Sequence, residues 1–277
     1  MNRRRASRAG LLAAALASLG TAHAPTQADV DAIVLEAAVR QREGEVGAGR
    51  VAFERIEVET DLDAAGRPER TRRRRYTVLM DGRGLVRREL LAVDGRAATG
   101  EEREESARED EKRRRAAAKG GERSDEEELM SGRVPLLDLH HRLDFRLLGE
   151  ERLEGRPTWV VEFRPKAGLA ARTIRDRVLN SFAGTTWIDV ADVQLRKIDG
   201  RLTAPVKVLG GALLRLEEIR LVYEAREVAS GAWAPCREEI GIRATAGMFL
   251  PFRREMRFEF SNWRSARDGA PVRTAAR

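Results

Sequence analysis

Residues 253–263, RREMRFEFSNW, place Met256, Phe258 and Phe260 on one side of an extended chain and Arg253, Glu255, Arg257 and Glu259 on the other. Successive side chains of a strand point to opposite faces, so this is a ribbon with one greasy and one ionic face. Ile240, Ile242, Ala244 and Ala246 are sorted in the same way against Glu239, Arg243 and Thr245. Nearer the N-terminus, RVAFERIEVET, RRRRYTVLM and GLVRRELLAV are separated by DAAGRP, DGRG and DGR, turn chemistry that joins consecutive antiparallel strands. Glu54, Arg55, Glu57 and Arg88 lie inside these strands. A parallel strand buried on both faces would not carry them, so the reading is an antiparallel sheet with one wet face.

About nine or ten such strands are expected, and their apolar face needs a cover. Two amphipathic helices are available. One carries Val30, Ile33, Val34, Ala37 and Ala38; the other, near 170–182, carries Ile174, Val178 and Leu179. Two short helices cover so wide a sheet only if it curls around them. The expected fold is therefore α+β, mainly β: a strongly curved antiparallel sheet, or half-open β-barrel, with helices over its concave face. Residues 99–128 are almost entirely charged and read as a solvent-exposed helical or partly disordered insertion between two halves of one sheet. The domain then runs 25–264, with a flexible tail at 265–277.

The first 24 residues have the three parts of an export signal: a basic start with Arg3, Arg4, Arg5 and Arg8, the apolar run LLAAALASLG, and small residues at Ala22 and Ala24. Cleavage after Ala22, Ala24 or Ala28 is open. The run is shorter than the roughly 20 residues of a membrane-spanning helix, and the mature chain is expected to have no such segment. No cysteine follows it for lipid attachment. An exported, most simply periplasmic, protein is expected. Of the formal charge of +7 the four signal arginines supply four, leaving +3. Arginines interspersed with glutamates describe an ion-paired surface and not a nucleic-acid-binding one. Cys236 is alone, so no internal disulfide forms.

TTWIDVADVQLRKIDGRL at 185–202 resembles the strand-turn-strand of the outer-membrane lipoprotein-sorting carriers (LolA/LolB-type) and their uncharacterised relatives. SGAWAPCREEI at 230–240 is similar to a later hairpin of the same group. The resemblance runs from about Leu143 to Trp263. It implies a half-open antiparallel barrel with helices as a lid and a cavity that shelters acyl chains. It transfers no functional residue, because the carriers' acyl-clasping arginine has no counterpart identified in this chain, and the charged insertion departs from the carrier pattern.

Catalytic chemistry finds little support in the residues. His140 and His141 are adjacent, so their side chains diverge in helix or strand and make a poor metal pair. No nucleophile elbow, P-loop, zincin or dinucleotide fingerprint occurs. No catalytic residue, metal or cofactor is assigned. Phe145, Trp159, Phe163, Trp187, Tyr223, Ile240, Ile242, Met256, Phe258 and Phe260 are the expected lining of the cavity. Val208, Leu209 and Leu213, around Gly210 and Gly211, are the expected gate loop. The function expected is a noncatalytic carrier holding the acyl chain of a lipid or lipoprotein. The alternative is an envelope interaction module that binds a protein through its charged surface and insertion.

Overall fold

A computed structural model describes residues 26–47, 51–81, 84–118, 140–208, 214–229, 232–247 and 250–265. The export segment, residues 119–128 of the insertion, the tail from 266, and Leu209 and Leu213 of the expected gate lie outside them. Helix α1 (Gln27–Gly47) leads into β1 (Val51–Leu62), β2 (Pro68–Asp81), β3 (Gly84–Val93), the two-residue β4 (Arg96–Ala97) and helix α2 (Gly100–Ala118). Then follow β5 (Leu143–Leu153), β6 (Arg156–Pro165), the short α3 (Ile174–Leu179), β7 (Phe182–Asp189), β8 (Leu195–Leu202), β9 (Val206–Val208), β10 (Leu214–Ala229), β11 (Ala232–Ala246) and β12 (Leu250–Ser265).

All twelve strands form one antiparallel sheet in the order β4-β3-β2-β1-β12-β11-β10-β8-β7-β6-β5, with β9 on β10. The last strand pairs with the first, so both ends of the described chain meet in mid-sheet, while β4 and β5 are its two edges. The sheet is therefore not closed. Helix α2 and the residues after it carry the chain from one edge to the other. Local chemistry sets the hairpins: Asp94 and Gly95 (φ 50° and 84°) and Glu154 and Gly155 (φ 51° and 82°) hold the positive-φ pair of a two-residue turn.

The curvature follows from what one helix touches. Val30, Val34, Ala37 and Ala38 of α1 are buried in one cluster with Leu143 and Phe145 of β5 and with Ile240 and Ile242 of β11. Five strand spacings separate β5 from β11, roughly 24 Å in a flat sheet, whereas a helix is about 10–12 Å across. Both contacts are possible only if the sheet wraps around α1. Gln27 Nε2 donates to the Phe145 carbonyl at 2.5 Å, and Arg40 Nη1 donates to the Asp192 carbonyl at 2.5 Å, which fixes the helix lengthwise. Gly184 and Gly200 are paired across β7 and β8, where the Phe163 and Phe182 rings stack 5.9 Å apart. A Cβ on Gly200 would fall 2.5 Å from the Phe182 ring, so glycine is what lets the ring lie against the strand.

Three details differ from the sequence reading. The second amphipathic helix is only Ile174–Leu179, because Thr173 and Asp176 form a capping box that starts it late, and Phe182 already belongs to β7. Among the described residues the strands number twelve, since β4 and β9 are too short to show a period. Helix α2 is not simply a solvated spacer: Ser106 and Asp110 are buried and the helix packs on β3.

Candidate functional site

Cross-strand register fixes which side chains share the concave face. Arg55 pairs with Phe260 and with Tyr76, Met256 with Ile240, Ile242 with Ile219, and Tyr223 with Ile198. The face continues through Thr186 and Val161 to Leu147. Phe145, Trp159, Phe163, Tyr223, Ile240, Ile242, Met256, Phe258 and Phe260 all lie on it. Trp187 does not: it pairs with Val160 and Lys197 on the convex face, where its indole N–H donates to Glu151 and Lys197 Nζ sits 4.9 Å from its ring. The expected placing of Trp187 is corrected for a physical reason: with a period of two, every residue next to an inward one points out, and Thr186 is inward. Val208 ends β9, beside Leu214.

The concave face has three zones. On one flank α1 covers β5, β8 and β11, and there Phe145, Phe163, Ile240 and Ile242 are packed core. On the other flank α2 lies on β3, over a second cluster of Phe53, Tyr76, Val78, Leu90 and Phe260, with Trp263 stacked 4.2 Å from Phe53. Between the helices, on β10–β12, Leu221, Tyr223, Met256 and Phe258 are only half-buried. This strip is a patch of apolar side chains with Glu238 set between Tyr223 and Phe258 and further polar groups along one margin. Leu216, Ile219, Ile242 and Ile240 floor one side; Arg254, held by Glu59 at 2.6 Å and Asp61 at 2.7 Å, borders the other.

The α2 flank buries charged side chains that strand period alone places in water. By strand period Arg55, Glu57 and Arg88 mark a wet face; they lie instead on the covered one, and only Glu54 points away. The Arg88 side chain is 4% exposed. It donates to Asp110 of α2 at 2.7 Å, reaches Glu57 at 3.3 Å, and stacks 4.4 Å from the Tyr76 ring. Arg55 pairs with Glu57 and lies 5.7 Å from the Phe258 ring. Burial pulls its guanidinium below the ordinary value, against the pull of Glu57. A strand pattern cannot distinguish a charge in water from one buried against a charge supplied by a helix elsewhere in the chain.

The WIDVADVQLR hairpin is a structural keystone. Asp189 is fully buried, accepts the backbone N–H groups of Ala191 and Asp192 at 3.0 Å each, and takes two bonds from Arg156 at 2.6 and 3.0 Å. Burial alone would raise its carboxyl; Arg156 and the two N–H groups hold it below the usual range. His140 stacks 5.9 Å from Phe145, with His141 edge-on to it at 5.8 Å. Burial pushes the Cys236 thiol up, and its Sγ–H donates to the Glu224 carbonyl. Among the described residues no group of three or more His, Cys, Asp or Glu could hold a metal ion, and no helix is long and apolar enough to cross a membrane.

No protein-family model matches the sequence, and no curated protein matches it. Among solved structures, a DUF1329 family protein from Desulfovibrio piger is 12% identical, over 87% of this chain and 95% of that one, with a TM-score of 0.37. An outer membrane lipoprotein-sorting protein domain from Vibrio parahaemolyticus and a LolA superfamily protein from Nitrosomonas europaea are each 12% identical. Both matches cover 85% of this chain and 93% of theirs, with TM-scores of 0.33 and 0.30. The chain is similar to solved LolA-like structures. At such identities and scores, its role has to be argued from its own residues.

Proposed function

We propose that the chain is an exported, noncatalytic binding protein that holds an acyl chain of a lipid or lipoprotein along its concave face. The observation that supports this reading is the half-buried patch of Leu221, Tyr223, Met256 and Phe258 between the two helices. Apolar side chains on a covered face, left partly open along the line between two covers, lose favourable burial unless something apolar lies on them. Lipid extraction and mass spectrometry of the gently purified protein provide the test. Stoichiometric acyl lipid is expected in the parent, and its retention should fall by about tenfold or more in Met256→Glu, which replaces an apolar side chain of the strip by a second carboxylate near Glu238. A parent protein that carries no stoichiometric lipid would overturn the reading.

A further inference from the structure

We infer that the end of the sheet where β12 begins docks on an anionic bilayer surface, which goes beyond the holding of an acyl chain. Three of the large apolar side chains that are exposed stand at this one end: Leu250 at 72%, Phe252 at 39% and Leu169 at 37%. Leu250 pairs with Ala246, which pairs with Leu214, the neighbour of Val208 on β9. Leu169 is tied to the same end, because its carbonyl accepts from Asn180, the C-cap of α3, and α3 packs on β9. Leu250, Pro251 and Phe252 are consecutive and all exposed, at the start of a strand whose later residues sink into the sheet. Leu250 and Phe252 share the face of Met256 and Phe258, with Arg254 between the two pairs on β12 and Ala244 and Ile242 beside it on β11.

The convex side of the same end adds charge. Lys207 sits directly opposite Arg215, and Arg243 directly opposite Arg253. Like charges in cross-strand register destabilise a sheet, so two such pairs side by side call for an anion to offset them. Glu217 and Glu218 answer part of this, at 3.4 and 3.5 Å from Arg243, and Glu217 lies 3.8 Å from Arg215. The Lys207 side chain is exposed. Apolar side chains at a tip with basic residues one row behind them match the acyl boundary and the headgroup layer of an anionic bilayer, and the two contributions together give stable attachment where either alone is marginal.

Sedimentation of the purified protein with vesicles of phosphatidylethanolamine and phosphatidylglycerol, and with vesicles of phosphatidylcholine alone, tests this. Binding to the first should exceed binding to the second and weaken as salt is raised. The double variant L250E/F252E should lose about tenfold or more of the binding, and K207E/R215E, on exposed side chains, should lose several-fold while its melting is unchanged. Leu85→Glu, exposed at the opposite end of the sheet, should bind as the parent does. Equal vesicle binding by parent, L250E/F252E and K207E/R215E would overturn the inference, as would a parent that retains acyl lipid but ignores vesicles or binds only a protein. A parent that binds vesicles yet carries no lipid would sink the acyl reading and leave this one standing.

Discussion

Asp189 shows what a single side chain does here. It closes the β7–β8 turn with two backbone N–H bonds and, through Arg156, ties that turn to the start of β6; Arg156 Nη2 also donates to Asp192 at 2.5 Å. Asp189→Ala leaves the Ala191 and Asp192 N–H groups without this acceptor and Arg156 without its buried carboxylate, and is expected to cost about 2–4 kcal/mol, measured by denaturant unfolding. Asp189→Asn keeps an acceptor for the turn but loses the charge toward Arg156, so it should cost less. The aspartate stood out in the sequence because its neighbours formed the most readable hairpin. What it binds was not legible, since Arg156 lies 33 residues away. Trp187, two positions earlier, is legible as inward or outward only through the phase of the strand, and pairing of Thr186 with Val161 and Ile198 sets that phase outward for Trp187.

At the scale of elements, α2 is the instructive case. Its start is local: Thr99 and Glu102 form a capping box, with Thr99 N–H donating to Glu102 at 2.9 Å and Glu102 N–H to Thr99 Oγ1 at 3.2 Å. Its place on the sheet is not local and depends on Asp110 meeting Arg88. Asp110→Ala leaves the Arg88 guanidinium buried with Glu57 as its remaining carboxylate. The expected outcome is faster cleavage within 100–118 by a protease, and a loss of about 3 kcal/mol or detachment of the helix. The double change R88M/D110L should recover much of that, because an apolar pair leaves no charge stranded. Composition described α2 as solvated since nearly every residue in it is charged; it could not show that one carboxylate of the run is buried. The short α3 illustrates the opposite error, an apolar period extended past its cap.

For the whole molecule, the expected response to acid follows from carboxylates held low. The two bonds from Arg96, then the Thr99 N–H, hold the Glu102 carboxyl down to about 2, and Asp189 is also held below its usual range. Groups depressed in the folded state stabilise it fully above their unfolded values and lose that stabilisation as pH falls through the folded ones. The melting temperature should therefore be level from neutral pH to about 5 and decline from about 4.5 toward 2, which thermal scans at stepped pH would check. The sequence alone determined that this chain is a sheet of antiparallel ribbons with greasy and ionic faces, because strand period and turn residues act over a few positions. Its width against two short helices also called for a curved sheet; only the tertiary structure decided which strands α1 lies on, that α2 and not α3 covers the second flank, and that Arg55, Glu57 and Arg88 are inside. Those outcomes depend on contacts between residues far apart in the chain, and a charge carries no local mark of whether its partner is water or another residue.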